Sequence, residues 1–117
     1  MIEMDSFQAS KIVTDEYSAK ILVATYAQPM SAIGLSRKLD IPIAACYRRI
    51  HSLEEAGLLR MNERALTRQG KRISLYQSCL KNAYIFLENG KLRVRFEMKT
   101  GEFLDHGEGW KTINLRV

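Results

Sequence analysis

The side chains of this sequence that could do chemistry are mainly cationic, and they are concentrated in the middle of the chain. Residues 31–79 hold nine Lys or Arg and four Asp or Glu, a net charge of +5, whereas residues 1–30 carry −2 and residues 80–117 carry +2. A basic segment of this kind attracts polyanions such as nucleic acid or an anionic membrane surface. The chemistry to expect is therefore electrostatic recognition of an anionic partner.

The first cationic cluster lies on a helix that we predict from Pro42 to about residue 56. At about 100° per residue, one side of this helix is apolar and is expected to face the core. That side carries Ile43, Cys46, Ile50 and Leu53. Small residues on the opposite side allow a helix to approach a DNA major groove, and an arginine one turn later can reach guanine or phosphate. The opposite side and its flanks present Ala44, Ala45, Tyr47, Arg48, Arg49, His51 and Ser52.

The second cationic cluster surrounds the tip of a predicted β-hairpin, whose strands cover residues 58–66 and 72–79. It consists of Arg64, Arg68, Lys71 and Arg72. Cations at such a place would neutralise phosphates and release counterions, which gives an affinity that is independent of sequence and falls with salt. Arg48 would add discrimination between bases, about 1–3 kcal/mol for a bidentate contact.

Each of these residues also has a purely structural interpretation. Arg48 and Arg49 could form a solvated helix face and pair with the nearby glutamates, Glu54 and Glu55. Charges at a hairpin tip often serve only solubility. Tyr47 could pack as a half-buried aromatic side chain as readily as contact a phosphate. The placement of one cluster on a helix and the other on the hairpin that follows it favours binding.

Other chemistries lack a matching motif. The sequence contains no P-loop, G-x-G-x-x-G, H-E-x-x-H or nucleophile-elbow pattern, so we expect no enzyme. His51 and His106 have no ligand cluster around them, so we expect no metal or other cofactor. Cys46 and Cys79 form no C-x-x-C pair and indicate a reducing cytoplasm, with Cys46 in the core. The polar start and the lack of a long apolar run predict neither export nor membrane insertion.

A first helix is predicted from an N-cap at Thr14 to about residue 27. It ends at Gln28-Pro29, because proline disfavours a helical residue before it. This helix is apolar over so much of its surface that we expect it to be sandwiched, in part at a dimer contact. Its apolar surface consists of Tyr17, Ile21, Leu22, Ala24, Thr25 and Tyr26.

The next two helices form a helix-turn-helix pattern. Ser31 is the expected cap of a short helix over residues 32–39, and Asp40-Ile41 makes the turn into the helix that begins at Pro42. Gly57 ends that helix, because glycine readily adopts the left-handed conformation of a helix end. Two helices joined by so short a turn are typical of DNA-binding proteins.

A second hairpin is predicted after the first. Residues 83–87 and 92–98 alternate in polarity around Asn89-Gly90, the strongest sequence signal for a type I′ turn. One face of the return strand should therefore be buried and the other wet. We expect residues 101–117 to be irregular, with Trp110 as an anchor.

The run SAIGLSRKLDIPIAACYRRIHSLEEAGLL, residues 31–59, resembles the helix-turn-helix of winged-helix regulators of the ArsR/MarR type, especially archaeal ones. Its most specific parts are YRRI at residues 47–50 and LEEAGLL at residues 53–59. The resemblance extends to about residue 78 and implies that the third helix reads DNA, that the hairpin is a wing, and that the protein is a homodimer. It implies DNA contacts at Ala44, Ala45, Tyr47 and Arg48 and a basic wing of Arg68, Lys71 and Arg72.

The chain departs from that family in two respects. A cysteine-rich metal motif is missing from the second and third helices, and the Asn89-Gly90 hairpin takes the place of the long C-terminal dimerisation helix of many relatives. The mode of dimerisation is therefore open, and the sequence does not identify a small-molecule effector.

These patterns predict an α+β protein, a winged helix-turn-helix with a three-helix core and β-hairpin wing, plus an extra C-terminal β-hairpin. We assign residues 1–13 to a leader, 14–80 to the DNA-binding domain, 81–100 to the extension and 101–117 to the tail. The expected function is a sequence-specific regulator of transcription that binds double-stranded DNA. A module that binds protein through the first helix and the strand 92–98, and a winged helix that binds RNA, are the alternatives.

Overall fold

The computed structural model describes residues 4–108, which form helices followed by two antiparallel sheets and confirm the α+β class. The helices are α1 (Ser6–Thr14), α2 (Glu16–Ala24), α3 (Ala32–Leu39) and α4 (Ile43–Glu55). The strands are β1 (Leu59–Leu66), β2 (Arg72–Ser78), β3 (Leu80–Glu88), β4 (Lys91–Met98) and β5 (Phe103–His106). In this part of the chain, every helix is too short or too polar to cross a membrane.

The start of the chain differs from the predicted leader and single helix. Residues 6–14 form α1, which begins with a capping box: Gln8 N–H donates to Asp5 Oδ1 at 2.8 Å, and Asp5 N–H donates to Gln8 Oε1 at 3.1 Å. The N-cap of the next helix is Asp15, not Thr14, because its carboxylate accepts a hydrogen bond from Ser18 N–H. Two successive aspartate caps thus divide the segment into two short helices.

The helix-turn-helix pattern is present as α3, a tight turn and α4. Ser31 caps α3 by accepting a hydrogen bond from Gly34 N–H, and Asp40 closes the helix in the left-handed conformation with φ 54°. Pro42 is the N-cap of α4 and not its first helical residue. Gly57 follows α4 with φ 79°, the left-handed conformation that its position predicted.

Strands β1 and β2 form a two-stranded hairpin whose base is fastened to the helices. Arg64 is opposite Ser74 and Leu66 is opposite Arg72, with a bulge between Met61 and Glu63. The outer edge of β2 makes a bridge to the segment before α3, in which Met30 N–H donates to Tyr76 O at 2.9 Å and Tyr76 N–H donates back to Met30 O at 2.8 Å. The bridge fixes the hairpin against α3.

The second sheet has the order β3-β4-β5. The predicted turn between β3 and β4 is confirmed, since Asn89 and Gly90 both have positive φ, at 53° and 72°. Residues 103–106 form β5 against β4, so the expectation that residues 101–117 are irregular is wrong for this segment. Trp110 and the rest of the expected tail after residue 108 lie outside the described residues.

The core joins the helices to the second sheet. The apolar face of β4 is buried as the alternation predicted, with Val94, Phe96 and Met98 packed among helix residues. The expectation that the other face is wet is wrong, because Arg93 is buried and Arg95 and Glu97 are partly buried. Ile21 and Leu22 of α2 are also buried, so much of the apolar side that suggested a dimer contact is used within the fold. Division of the chain into domains at residue 80 stays a prediction.

Candidate nucleic-acid interface

The exposed side of α4 carries most of the residues that the sequence singled out. Ala44, Arg48 and Ser52 are exposed, and Tyr47 is half-exposed on the flank next to them. Arg48 makes no ion pair with another residue of the described chain. The arginine side chain is therefore available to a partner, as binding requires.

The buried side of α4 is rotated relative to the prediction. Ala45 is buried in the core, so the expectation that it is exposed is wrong. Ile43, expected in the core, is 44% exposed. Cys46, Ile50 and Leu53 are buried as expected. The helix is thus turned so that the Ala45 and Arg49 side faces the protein and the Ile43 and Tyr47 side faces outward.

Arg49 lies on the side of α4 that faces the protein, where it is held by an acidic residue on another element. Its Nε donates to Asp15 Oδ2 at 2.8 Å, and its Nη2 donates to Asp15 Oδ1 at 3.3 Å. The guanidinium also lies 5.6 Å from the centre of the Tyr17 ring. The glutamates expected as partners are not used here, and Glu55 instead lies 2.6 Å from His51 Nε2. Arg49 fastens α4 to the junction of α1 and α2.

The Arg49 guanidinium lowers the pKa of the Asp15 carboxyl from 3.8 to about 2. A lowered pKa means that the folded state prefers the charged carboxylate. The stabilisation is complete above the ordinary value of 3.8 and is lost as the pH falls through about 2. The ion pair therefore stabilises the position of α4 at neutral pH and fails in strong acid.

Asp15→Asn is expected to lower the free energy of unfolding at pH 7 by about 1–2 kcal/mol, because Asn still caps α2 but cannot pair with Arg49. Urea unfolding followed by circular dichroism measures this change. The difference from the original protein should shrink as the pH falls from about 4 to about 2. Asp5→Asn is the matched control, since Asp5 caps α1 without an ion pair. Equal losses from both substitutions would contradict a role for the Arg49 pair.

The cationic cluster of the β1–β2 hairpin is exposed throughout. It consists of Arg64, Arg68, Lys71 and Arg72. Arg68 and Lys71 belong to the tip, where Thr67 N–H donates to Lys71 O at 2.8 Å. None of the four makes an ion pair with another residue in the range 4–108. Other cations are paired, as in the 2.7 Å contact between Arg95 Nε and Asp105 Oδ1.

A groove of about 640 Å³ lies between α4 and the β1–β2 hairpin. Tyr47 of α4 lies on one side of it, and Arg72 and Ser74 of β2 lie on the other. Arg64 is directly opposite Ser74 and so shares its face of the hairpin. Tyr47 of α4 and Arg72 of the hairpin thus border one concave surface.

Two further basic residues line the grooves beside α4 and were missed from the sequence. Arg37, in the last turn of α3, lines the same groove as Tyr47 and Arg72. Lys11 of α1 lines a second groove, of about 420 Å³, together with Arg48 and Ser52. The basic last turn of α3 was a usable signal for Arg37. Lys11 was hidden because α1 itself was not predicted.

The described residues contain no group of three His, Cys, Asp or Glu side chains that could hold a metal ion. Cys46 is buried, and its Sγ lies 3.5 Å from Ala32 O. Burial raises the pKa of the Cys46 thiol and of the partly buried Cys79 thiol. The exposed charged groups around α4 that could bind a partner are therefore mainly arginines and lysines.

Comparison with known proteins agrees with the geometry of α3 and α4. No curated protein matches the chain. Residues 13–62 match the family model of the helix-turn-helix domain, a segment that includes α2, α3, α4 and the start of β1. Residues 13–62 are thus similar to a helix-turn-helix domain, and this similarity supports a DNA-binding regulator.

Proposed function

We propose that the protein is a sequence-specific regulator of transcription that inserts α4 into the major groove of double-stranded DNA. The β1–β2 hairpin acts as the wing and lies on the adjacent backbone or in the minor groove. One observation carries this proposal: Tyr47 on the exposed side of α4 and Arg72 of the hairpin border the same groove, and Arg48 is exposed on the same helix. A protein that uses this fold only for stability has no need to place Arg37 and Arg72 along that groove without an ion pair in the described chain.

The residues divide into two roles. Arg48 reads base edges, because it projects from α4 beside the small residues Ala44 and Ser52, which let the helix backbone approach. The hairpin cations hold phosphates and set the register on the duplex. They are Arg64, Arg68, Lys71 and Arg72, to which the structure adds Arg37.

Two residues of the predicted set have other roles. The Ala45 side chain is buried and so contributes to the core instead of to DNA. Arg49 is held by Asp15, and this contact fixes α4 on the side opposite the proposed DNA surface. Tyr47, half-exposed at the rim of the groove, is placed to donate its hydroxyl to a phosphate.

The finer assignment is a winged helix of the ArsR/MarR-like type, which acts as a homodimer in the cytoplasm. The three-helix core of such a domain corresponds to α2, α3 and α4, and α1 and the β3-β4-β5 sheet are additions to it. The two-fold symmetry of a homodimer suits operators with two half-sites. The helix-turn-helix match and the exposed cations support this assignment.

The alternative of a protein-binding module loses its basis in this fold. The surfaces proposed for it, the first helix and the strand 92–98, are largely occupied, since Ile21, Val94 and Phe96 are buried in the core. A competition experiment distinguishes DNA binding from the RNA-binding alternative. Structured RNA added to a protein–duplex complex should not displace the duplex at equal concentration.

The test is fluorescence anisotropy with a duplex selected from a random pool and with a scrambled duplex of equal length. Binding should be measurable at low salt and should weaken steeply as salt rises. Arg48→Ala should reduce the preference for the selected duplex by about 1–3 kcal/mol, because the base contact is lost. Lys71→Ala, the control, should weaken both duplexes alike. Absence of binding at low salt, or equal effects of the two substitutions on the preference, would contradict the proposal.

A further inference from the structure

A concave site separate from the grooves beside α4 lies where the β1–β2 hairpin meets the β3-β4-β5 sheet. It is a cavity of about 370 Å³. Its described lining comes from three stretches of the chain, residues 57–60, 77–79 and 98–104, and we call it the junction cavity. Among the described residues, none that lines it also lines either groove beside α4. The junction cavity is therefore a site distinct from the proposed DNA surface.

Backbone hydrogen bonds hold the walls of the junction cavity together. Cys79 N–H donates to Leu58 O at 2.8 Å, and Lys99 N–H donates to Cys79 O at 2.8 Å. Across the turn between β4 and β5, Met98 N–H donates to Glu102 O at 2.8 Å. The cavity is thus formed by folding, which reduces the cost of ordering it around a ligand.

The inner surface of the junction cavity is apolar. Met98 is buried, and Cys79 and Leu104 are partly buried against the core. Burial raises the pKa of the Cys79 thiol, so this side chain is an uncharged part of the surface at neutral pH. Ligand sites are commonly apolar cavities of about 300–1,000 Å³ in which a few polar groups orient the ligand.

Cations border the same cavity at its outer rim. Arg60 and Lys99 are both exposed, and the charges of both oppose the rise in the pKa of Cys79, so both lie near the inner surface. Lys99 is held in place, since its Nζ donates to Tyr26 O and lies 4.4 Å from the centre of the Tyr26 ring. Arg60 makes no ion pair with another residue in the range 4–108. Its guanidinium is available to an anionic ligand.

We propose that the junction cavity binds a small organic acid with one carboxylate and an apolar body. The carboxylate pairs with Arg60 and Lys99, and the apolar body covers the inner surface. The rim holds these two cations and one carboxylate, that of Glu102, so its net charge of +1 is complementary to a single anionic group. An inorganic anion would leave the apolar surface in water, and a neutral apolar molecule would leave the cations without a partner.

Calorimetric titration of the original protein with octanoate, in the absence of DNA, tests the proposal. Octanoate should bind saturably, and octanamide, which has the same hydrocarbon chain without the charge, should bind more weakly by about tenfold or more. Arg60→Gln should weaken octanoate binding by about tenfold and leave octanamide binding unchanged, because the carboxylate loses one of its two cationic partners. A protein that binds neither compound, or both equally, would overturn the proposal.

Glu102→Gln is the matched variant of opposite sign. It removes the carboxylate from the rim and should strengthen octanoate binding by about two- to fivefold. Lys20→Gln removes a cation from α2, outside the junction cavity, and should change octanoate binding by less than about twofold. Circular dichroism checks that all variants fold. Equal losses from Arg60→Gln and Lys20→Gln, or weaker binding by Glu102→Gln, would contradict the assigned charges.

Nuclear magnetic resonance of the original protein locates the ligand without any substitution. Octanoate should shift the backbone amide signals of residues 57–60, 77–79 and 98–104. The signals of Tyr47 and Ser74, which line the groove beside α4, should stay in place. Shifts confined to that groove, or spread evenly over the chain, would overturn the assignment of the site.

Competition separates the junction cavity from the proposed DNA surface. Neither inorganic phosphate nor a duplex at low salt should displace octanoate, because the described linings of the two sites share no residue. Displacement by either one would assign Arg60 and Lys99 to a surface for polyanions and overturn the proposal. If octanoate binds as expected but no duplex binds at low salt, the regulator is refuted and the ligand site stands.

Discussion

Replacing Arg64, Arg68 and Lys71 together by Gln is expected to weaken binding to any duplex by a factor of about 10² to 10³ at 0.1 M salt. Each phosphate contact contributes a slope of about −0.9 to the dependence of log K on log salt. At 0.1 M salt one contact is thus worth nearly a factor of ten, and three contacts multiply. The three side chains are exposed and make no ion pair in the described chain, so their loss should leave the fold unchanged.

The matched control removes the same charge elsewhere. Lys20, Lys81 and Lys91 are exposed on α2, β3 and β4, away from the groove beside α4. Their joint replacement by Gln changes the net charge equally but should change affinity by less than about tenfold. Anisotropy titrations at several salt concentrations measure both effects. If the two triple variants lose the same affinity and the same slope, then net charge and not the hairpin explains binding.

Phe96→Ala is expected to lower the free energy of unfolding by about 3–5 kcal/mol. Phe96 is fully buried on β4, in the layer between the second sheet and the helices, and its ring packs edge-on against His106 with 5.5 Å between the ring centres. Truncation to Ala removes the transfer energy of the ring and leaves a cavity that rigid neighbours fill only in part. A domain of ordinary stability, about 5–15 kcal/mol, would be left with little reserve.

Phe7→Ala is the control for this prediction. Phe7 belongs to α1 and is 72% exposed, so its replacement should cost less than about 0.5 kcal/mol. Urea unfolding of the two variants by circular dichroism gives the comparison. Equal midpoints for Phe96→Ala and Phe7→Ala would show that the second sheet does not share its core with the helices.

The helix-turn-helix and the second hairpin could be predicted because their signals are local. Ser31, Pro42 and Gly57 each act on the backbone within a few residues, and Asn89-Gly90 fixes a turn almost alone. The burial of the apolar face of β4 could also be predicted, because apolar and polar residues alternate along this strand.

The rest depends on contacts between distant residues. The pair formed by Asp15 and Arg49 joins positions 34 residues apart, on the side of α4 where Ala45 is also buried. Sequence periodicity predicts which residues share a side but not the angle at which the helix is set. Strand β5 was missed because four residues carry too little pattern. Helix α1 was missed because the capping box of Asp5 and Gln8 was not recognised in the sequence.

The bridge between Met30 and Tyr76 has a consequence for the thermodynamics of recognition. It holds the base of the hairpin next to α3 before any partner arrives, so that the distance between the two elements proposed to contact DNA is already set by folding. Such preorganisation leaves only the hairpin tip and the long cationic side chains to be ordered on binding. More of the interaction energy then appears as affinity, and docking proceeds with little rearrangement of the backbone.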